Sequence, residues 1–186
     1  MIKKIALVCI LVAMPLTAQA GDAEALQGEA MKVMKGFGGA LKEELQSAMK
    51  KGGPVHALGA CNEKAPQITK AKSAAGWKVG RTSLKLRNPD NKPDAWEAKV
   101  LASFEDRKKK GENPAKIAFG EVVEENGKQS YRFMKAIPTA ELCLNCHGNR
   151  IEPEVAAKLD ALYAKDNARG FKPGDIRGAF TLRKDL

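Results

Sequence analysis

Cys143-Leu144-Asn145-Cys146-His147 is the stretch on which the reading of this chain turns. Two cysteines three positions apart on a helical turn present both sulfurs to one edge of a flat macrocycle. In an exported protein the C-x-x-C-H spacing reads as a covalent haem c attachment site. Cys143 and Cys146 would add across the two vinyl groups as thioethers, and His147 would lie beneath the ring with an imidazole nitrogen for the iron. With the chain's own four Cys and two His among 186 residues, chance gives this pattern in on the order of one chain in a thousand, so coincidence is a poor account. A redox-active dithiol, part of a zinc site and a disulfide are the competing readings of the same spacing.

The start of the chain supplies the context that this motif needs. Met1-Ile2-Lys3-Lys4 is a positive segment, Ile5 to Leu16 is an apolar run, and Ala18-Gln19-Ala20 precedes Gly21-Asp22. This order predicts a secretory signal peptide over residues 1–20, cut after Ala20, and a single domain over residues 21–186. The apolar run is too short to cross a ~30 Å hydrocarbon core, so the expectation is a soluble periplasmic protein. Haem c is attached outside the cytoplasm, so leader and motif support one another.

Cys9 leaves with the leader, and the mature chain keeps Cys61, Cys143 and Cys146. If the last two hold haem, Cys61 is the odd thiol that requires an explanation. The formal charge of +10 falls to +8 once Lys3 and Lys4 are removed. Export and an aromatic content of only 5% argue against nucleic acid as the partner of this basic chain. Haem propionates, an acidic redox partner or a membrane signalling protein suit the charge better.

Local patterns predict an α+β chain. From Asp22 to about Lys51, Leu26, Ala30, Met34, Phe37, Leu41 and Leu45 recur at three- and four-residue steps on a long N-terminal helix. Its stripe suits packing on its own domain or a homodimer. Gly52-Gly53-Pro54 ends it, and a second helix turns Leu58, Cys61, Ala65 and Ile68 inward. His56 lies five residues from Cys61, about 140° around the helix, and belongs to the polar side. A short strand around Trp77 leads into a basic loop in which Arg81, Lys85 and Arg87 suit the propionates. Asp94 and Glu97 form a capping box for a helix to about Lys110. Asn126-Gly127 marks a hairpin, with Arg132, Met134 and Ala136 on one face of its second strand. Thr139 is the expected cap of the short motif helix. A further helix from Pro153 and a closing strand at Ile176–Arg183 complete an antiparallel sheet expected to be covered on one face.

The sixth iron ligand decides what such a centre does. Helical phase argues against His56, and Met134 has nothing to place it across the ring. The inward, unpaired Cys61 ranks first, and a thiolate there would lower the reduction potential.

Ala60-Cys61-Asn62-Glu63-Lys64-Ala65-Pro66, Gly80-Arg81-Thr82-Ser83-Leu84-Lys85 with Arg87-Asn88-Pro89, Cys143-Leu144-Asn145-Cys146-His147-Gly148 and Gly174-Asp175-Ile176-Arg177-Gly178-Ala179-Phe180 follow one another in an order that resembles a family of exported c-type haem domains. The resemblance covers nearly all of the mature chain. It implies a PAS-like fold, one covalently attached haem, His147 as proximal ligand and Cys61 as distal ligand. Members occur alone or as extracytoplasmic input domains of signalling proteins. The expectation is therefore a non-enzymatic redox or diatomic-gas sensor with a displaceable thiolate, or alternatively a small electron-transfer cytochrome.

Overall fold

The structure is a computed structural model that describes the chain from Leu16 to Leu186, with side chains from Asp22 onward. Most of the expected leader therefore lies outside the described residues. Among the described residues no helix is long and apolar enough to cross a membrane.

Helix α1 (Leu16–Lys72) is continuous except at Gly52 and Gly53, where the backbone leaves helical geometry. Gly53 has φ of 66° and ψ of −164°, a conformation that glycine alone adopts without strain. Pro54 follows at the first turn of the second half, where its missing N–H costs nothing. The kink thus divides α1 into residues 16–51 and residues 54–72, as the Gly-Gly-Pro signal implies.

Four antiparallel strands follow in the spatial order β1-β4-β3-β2: β1 (Trp77–Thr82), β2 (Ala118–Glu125), β3 (Lys128–Pro138) and β4 (Ile176–Asp185). The β2–β3 turn has Asn126 and Gly127 at positive φ, as a two-residue hairpin demands. In the centre of the sheet Phe133 pairs with Leu182, and Leu182 with Val79 across the next ladder.

The sheet is covered on both faces, which corrects the expectation of one. On one face Ala30, Met34 and Phe37 of α1 pack against Trp77, Tyr131 and Phe133. On the other, α2 (Ala95–Lys109) lays Val100, Leu101 and Phe104 against Met134, Ala136 and Ala179. Residues 130–134 of β3 are consequently buried without a break. The reason the pattern misleads is Arg132, which reads as a solvent-facing residue but is only 4% exposed. Its guanidinium lies 4.3 Å from the Trp96 ring and donates to Asp94, with Glu97 beside it. The expected capping box is present: the Glu97 amide donates to Asp94 Oδ1 at 2.8 Å, and the Asp94 amide donates to Glu97 Oε2 at 3.0 Å.

The motif lies beyond the end of β3, on a 3₁₀ turn (Glu141–Cys143) that runs into the four-residue helix α3 (Leu144–His147). Ala140, not Thr139, occupies the cap position, without a side-chain bond. Thr139 instead turns its hydroxyl inward, buried and unpartnered, while its backbone pairs with Asp175 and Gly174. Helix α4 (Pro153–Leu162) then packs Val155 and Leu159 against Leu58 of α1.

Candidate haem site

Cys146 and His147 lie on α3 and Cys143 on the turn before it, and Cys61, Cys143 and Cys146 are all free, half-buried thiols. Cys146 packs beside Val55, Ile151, Leu162 and Tyr163 at the rim of the Leu58–Val155–Leu159 cluster. These residues of α1 and α4 offer the apolar surface that a porphyrin ring would require. Burial, more than any other influence, pushes the Cys146 thiol up from its ordinary value.

His147 is held from several sides. Its Nδ1 lies 2.7 Å from the carbonyl oxygen of Ala168. A carbonyl only accepts, so Nδ1 carries the hydrogen and Nε2 keeps the lone pair that a metal would take. Arg87 Nη1 lies 3.4 Å from Nε2, Arg177 Nε lies 3.2 Å from Nδ1 and 3.4 Å from Nε2, and the edge of Phe171 meets the ring; the shorter Ala168 contact at Nδ1 decides the tautomer. Burial, with Arg177 and Arg87 alongside, pushes the imidazole down to about 3, so the ring is neutral at any ordinary pH. A neutral imidazole with an unprotonated Nε2 is the form that ligates iron, and here that lone pair faces the Arg87 and Arg177 donors.

The segment after α4 docks onto the motif backbone. The Phe171 amide donates to the His147 carbonyl at 2.9 Å, and the Gly170 amide to the Gly148 carbonyl at 3.0 Å. Arg87 donates through Nε and Nη2 to the two oxygens of Asp166, and through Nη2 also to the carbonyls of Cys146 and Ala168. Its side chain is 10% exposed and that of Asp166 2%. Burial works against the Asp166 charge, but hydrogen bonds from Arg87, Arg169 and the Ala168 amide outweigh it and hold the carboxyl below the usual range.

Cys61 lines a cavity of about 470 Å³ together with Arg81, Thr82, Asn91 and Tyr163. Arg81, Thr82 and Asn91 also line a smaller space of about 130 Å³ whose other walls include His147, Arg87 and Arg177. The expected ligands His147 and Cys61 thus open onto two spaces with a common wall, and Arg81 belongs to that wall. Burial pushes the Cys61 thiol up, against the pull of Arg81. His56 is exposed on α1, as its helical phase implies.

The three basic residues expected at the propionates have separate placements. Arg87 is committed to Asp166 and the motif backbone. Lys85 donates to the Arg169 carbonyl and lies over the Phe171 ring, lining neither space. Among the described residues the Arg81 side chain has no hydrogen-bonding partner, so it is the one whose donors face the cavities. Arg177, given no role by the sequence, donates Nη1 to Ser83 Oγ and the Lys85 carbonyl, and burial lowers it to about 10. Its only sequence signal was a charged residue at the start of a strand whose neighbours are apolar.

The sequence model of the family described as Tll0287-like matches residues 18–184. No curated protein matches the chain. Among solved structures, that of the cyanobacterial heme-protein Tll0287 superposes with a TM-score of 0.62 at 22% identity, over 87% of this chain and 96% of that one. This is a likeness of fold.

Proposed function

Because the chain belongs to the Tll0287-like family, we propose that it is an exported haem c protein, with one haem joined to Cys143 and Cys146 and ligated by His147 and Cys61. Its function is to sense redox state or a diatomic gas. The observation that carries the reading is the imidazole of His147, whose Nδ1–H is given to Ala168 and whose unprotonated Nε2 faces a small space, on a motif whose two thiols are free. The haem supplies a reversible one-electron couple and, once a sixth ligand leaves, a position for NO or CO.

The protein's own groups account for the rest. Arg81 and Arg177 have no carboxylate partner among the described residues, so these walls favour an anion, whether propionate or thiolate. Cys61 is a thiol that burial keeps protonated by itself, so its thiolate needs a metal or Arg81. That makes it a conditional ligand. It sits on residues 54–72 of α1, separated by the Gly52–Gly53 kink from residues 16–51, which are fixed on the sheet. Release of Cys61 would let residues 54–72 turn about the kink and present a changed surface to a membrane signalling partner. A homodimer through residues 16–51 would have to use faces other than the stripe already packed on the sheet.

Absorption spectra of the protein matured with a cytochrome c assembly system test this reading. A ferric thiolate spectrum that changes on reduction and then accepts CO is expected, and Cys61→Ser should abolish the thiolate signature. Gas binding and spectra identical in Cys61→Ser and wild type would overturn the sensor. A reduced form that stays six-coordinate and ignores CO would instead make this an electron carrier for an acidic partner.

A further inference from the structure

The carboxylate of Asp166 is the one anion at the centre of an otherwise cationic site, and its oxygens are fully used. Oδ1 accepts from Arg87 Nε at 3.2 Å and from the Ala168 amide at 2.9 Å; Oδ2 accepts from Arg87 Nη2 at 3.1 Å and from Arg169 Nε at 2.9 Å. The bonds to Ala168 and Arg87 lead toward His147. The Ala168 residue whose amide is held by Asp166 gives its carbonyl to His147 Nδ1. The Arg87 side chain held by Asp166 donates to the Cys146 carbonyl, one residue before the imidazole. The neighbouring Asn167 amide is pinned to the Leu86 carbonyl at 2.7 Å, beside Arg87 itself.

From this we infer that Asp166 is the positioning residue of the proximal ligand: through Ala168 it orients the His147 ring, and through Arg87 it fixes the motif backbone that carries it. The assignment rests on the haem reading above. It extends the iron's surroundings by one shell, to a carboxylate acting through a backbone amide and carbonyl, where a histidine ligand more simply meets the carboxylate itself. The Nδ1–H held by the Ala168 carbonyl raises the basicity of the imidazole, which would favour ferric over ferrous iron. Asp166 therefore keeps the reduction potential low.

The test is the reduction potential of haem-loaded Asp166→Asn, with Asp160→Asn as the charge control. Asp160 meets Arg169 from an exposed position and bonds neither Ala168 nor Arg87, the two groups through which Asp166 acts. Loss of about tenfold in the preference for ferric iron, within the range for a lost outer-shell partner, corresponds to a rise of about 59 mV for one electron. The same variant should speed hydrogen exchange at His147 Nδ1 at least tenfold in the reduced low-spin protein, and Asp160→Asn should change neither. A potential and an exchange rate equal to wild type in Asp166→Asn overturn the assignment, as does an equal shift in Asp160→Asn. Where Asp166→Asn fails to fold, Arg169→Gln decides, because it frees Oδ2 from a partly exposed side. Loosened positioning raises the potential and speeds exchange despite the loss of a cation; a fall in potential with unchanged exchange overturns the proposal. A wild-type chain without covalent haem would defeat the underlying reading and this assignment together, whereas unaltered variants of a haem-bearing protein defeat the assignment alone.

Discussion

Two arginine–carboxylate clusters in this molecule solve opposite problems. At the start of α2, the buried Arg132 meets Asp94, Glu97 and Glu125, and Glu97 also accepts from Thr181 Oγ1 at 2.6 Å. Anions outnumber the cation and the Trp96 ring closes over it. Around His147 the balance is reversed: Arg81, Arg87 and Arg177 gather about one carboxylate, Asp166. The first cluster answers its charge within the chain, leaving only Arg132 Nε without a partner among the described residues, and serves to join α2 to the sheet. The second has positive charge to spare, and such a surplus in a partly desolvated site is stable only if an anionic guest belongs there.

The contrast can be broken by removing one arginine from each. Arg132→Met should cost about 3 kcal/mol in urea denaturation, because it strands buried carboxylate surface against the sheet. A loss under about 1 kcal/mol would show that the cluster is solvated after all. Asp94→Ala should cost about 1 kcal/mol as a lost helix cap, and this loss is pH-dependent. Burial pushes the Asp94 carboxyl up, but the Glu97 amide and Arg132 outweigh it and hold the carboxyl below its ordinary 3.8. A carboxyl lowered by folding stabilises above its unfolded value, and the contribution disappears as pH falls through the lower folded one. Melting curves of Asp94→Ala and wild type should therefore differ at pH 7 and converge at the acid end of the profile. The smallest stability effect is expected of Arg81→Gln, within about 1 kcal/mol without cofactor, because no ion pair is lost. Its effect should appear instead as a weaker ferric thiolate band, and an Arg81→Gln protein as unstable as Arg132→Met would erase the distinction between the clusters.

What was legible in the sequence was local. The capping box, the Asn-Gly turn, the Gly-Gly-Pro break and the cysteine–histidine motif each depend on residues within one or two turns, where spacing fixes geometry. The phase that separates His56 from Cys61 is equally local, and the exposure of His56 agrees with it. Arg132 was misread because a buried arginine looks like a surface arginine until its distant carboxylates and Trp96 are brought to it. Thr139 was misread because the rule for caps ignores that its backbone is already tied to residues 174 and 175 by the closing strand. Asp166 and Ala168 carried no signal as a site, and Arg177 only its place in the Gly174–Phe180 stretch: they are 19, 21 and 30 residues from His147, and only the fold joins them.

Strand order has a consequence in time. The last strand to emerge during synthesis, β4, occupies the place between β1 and β3, so β1 has no neighbour in the sheet until residues 176–185 arrive. Residues 166–171, which close over His147, also come late. Between its own emergence and the arrival of residues 166–185 the stretch 143–147 is thus uncovered, and an enzyme attaching the proposed haem would find its two sulfurs within reach. Completion of the sheet then shuts that interval, because the segment that finishes the fold is continuous with the one that covers the motif.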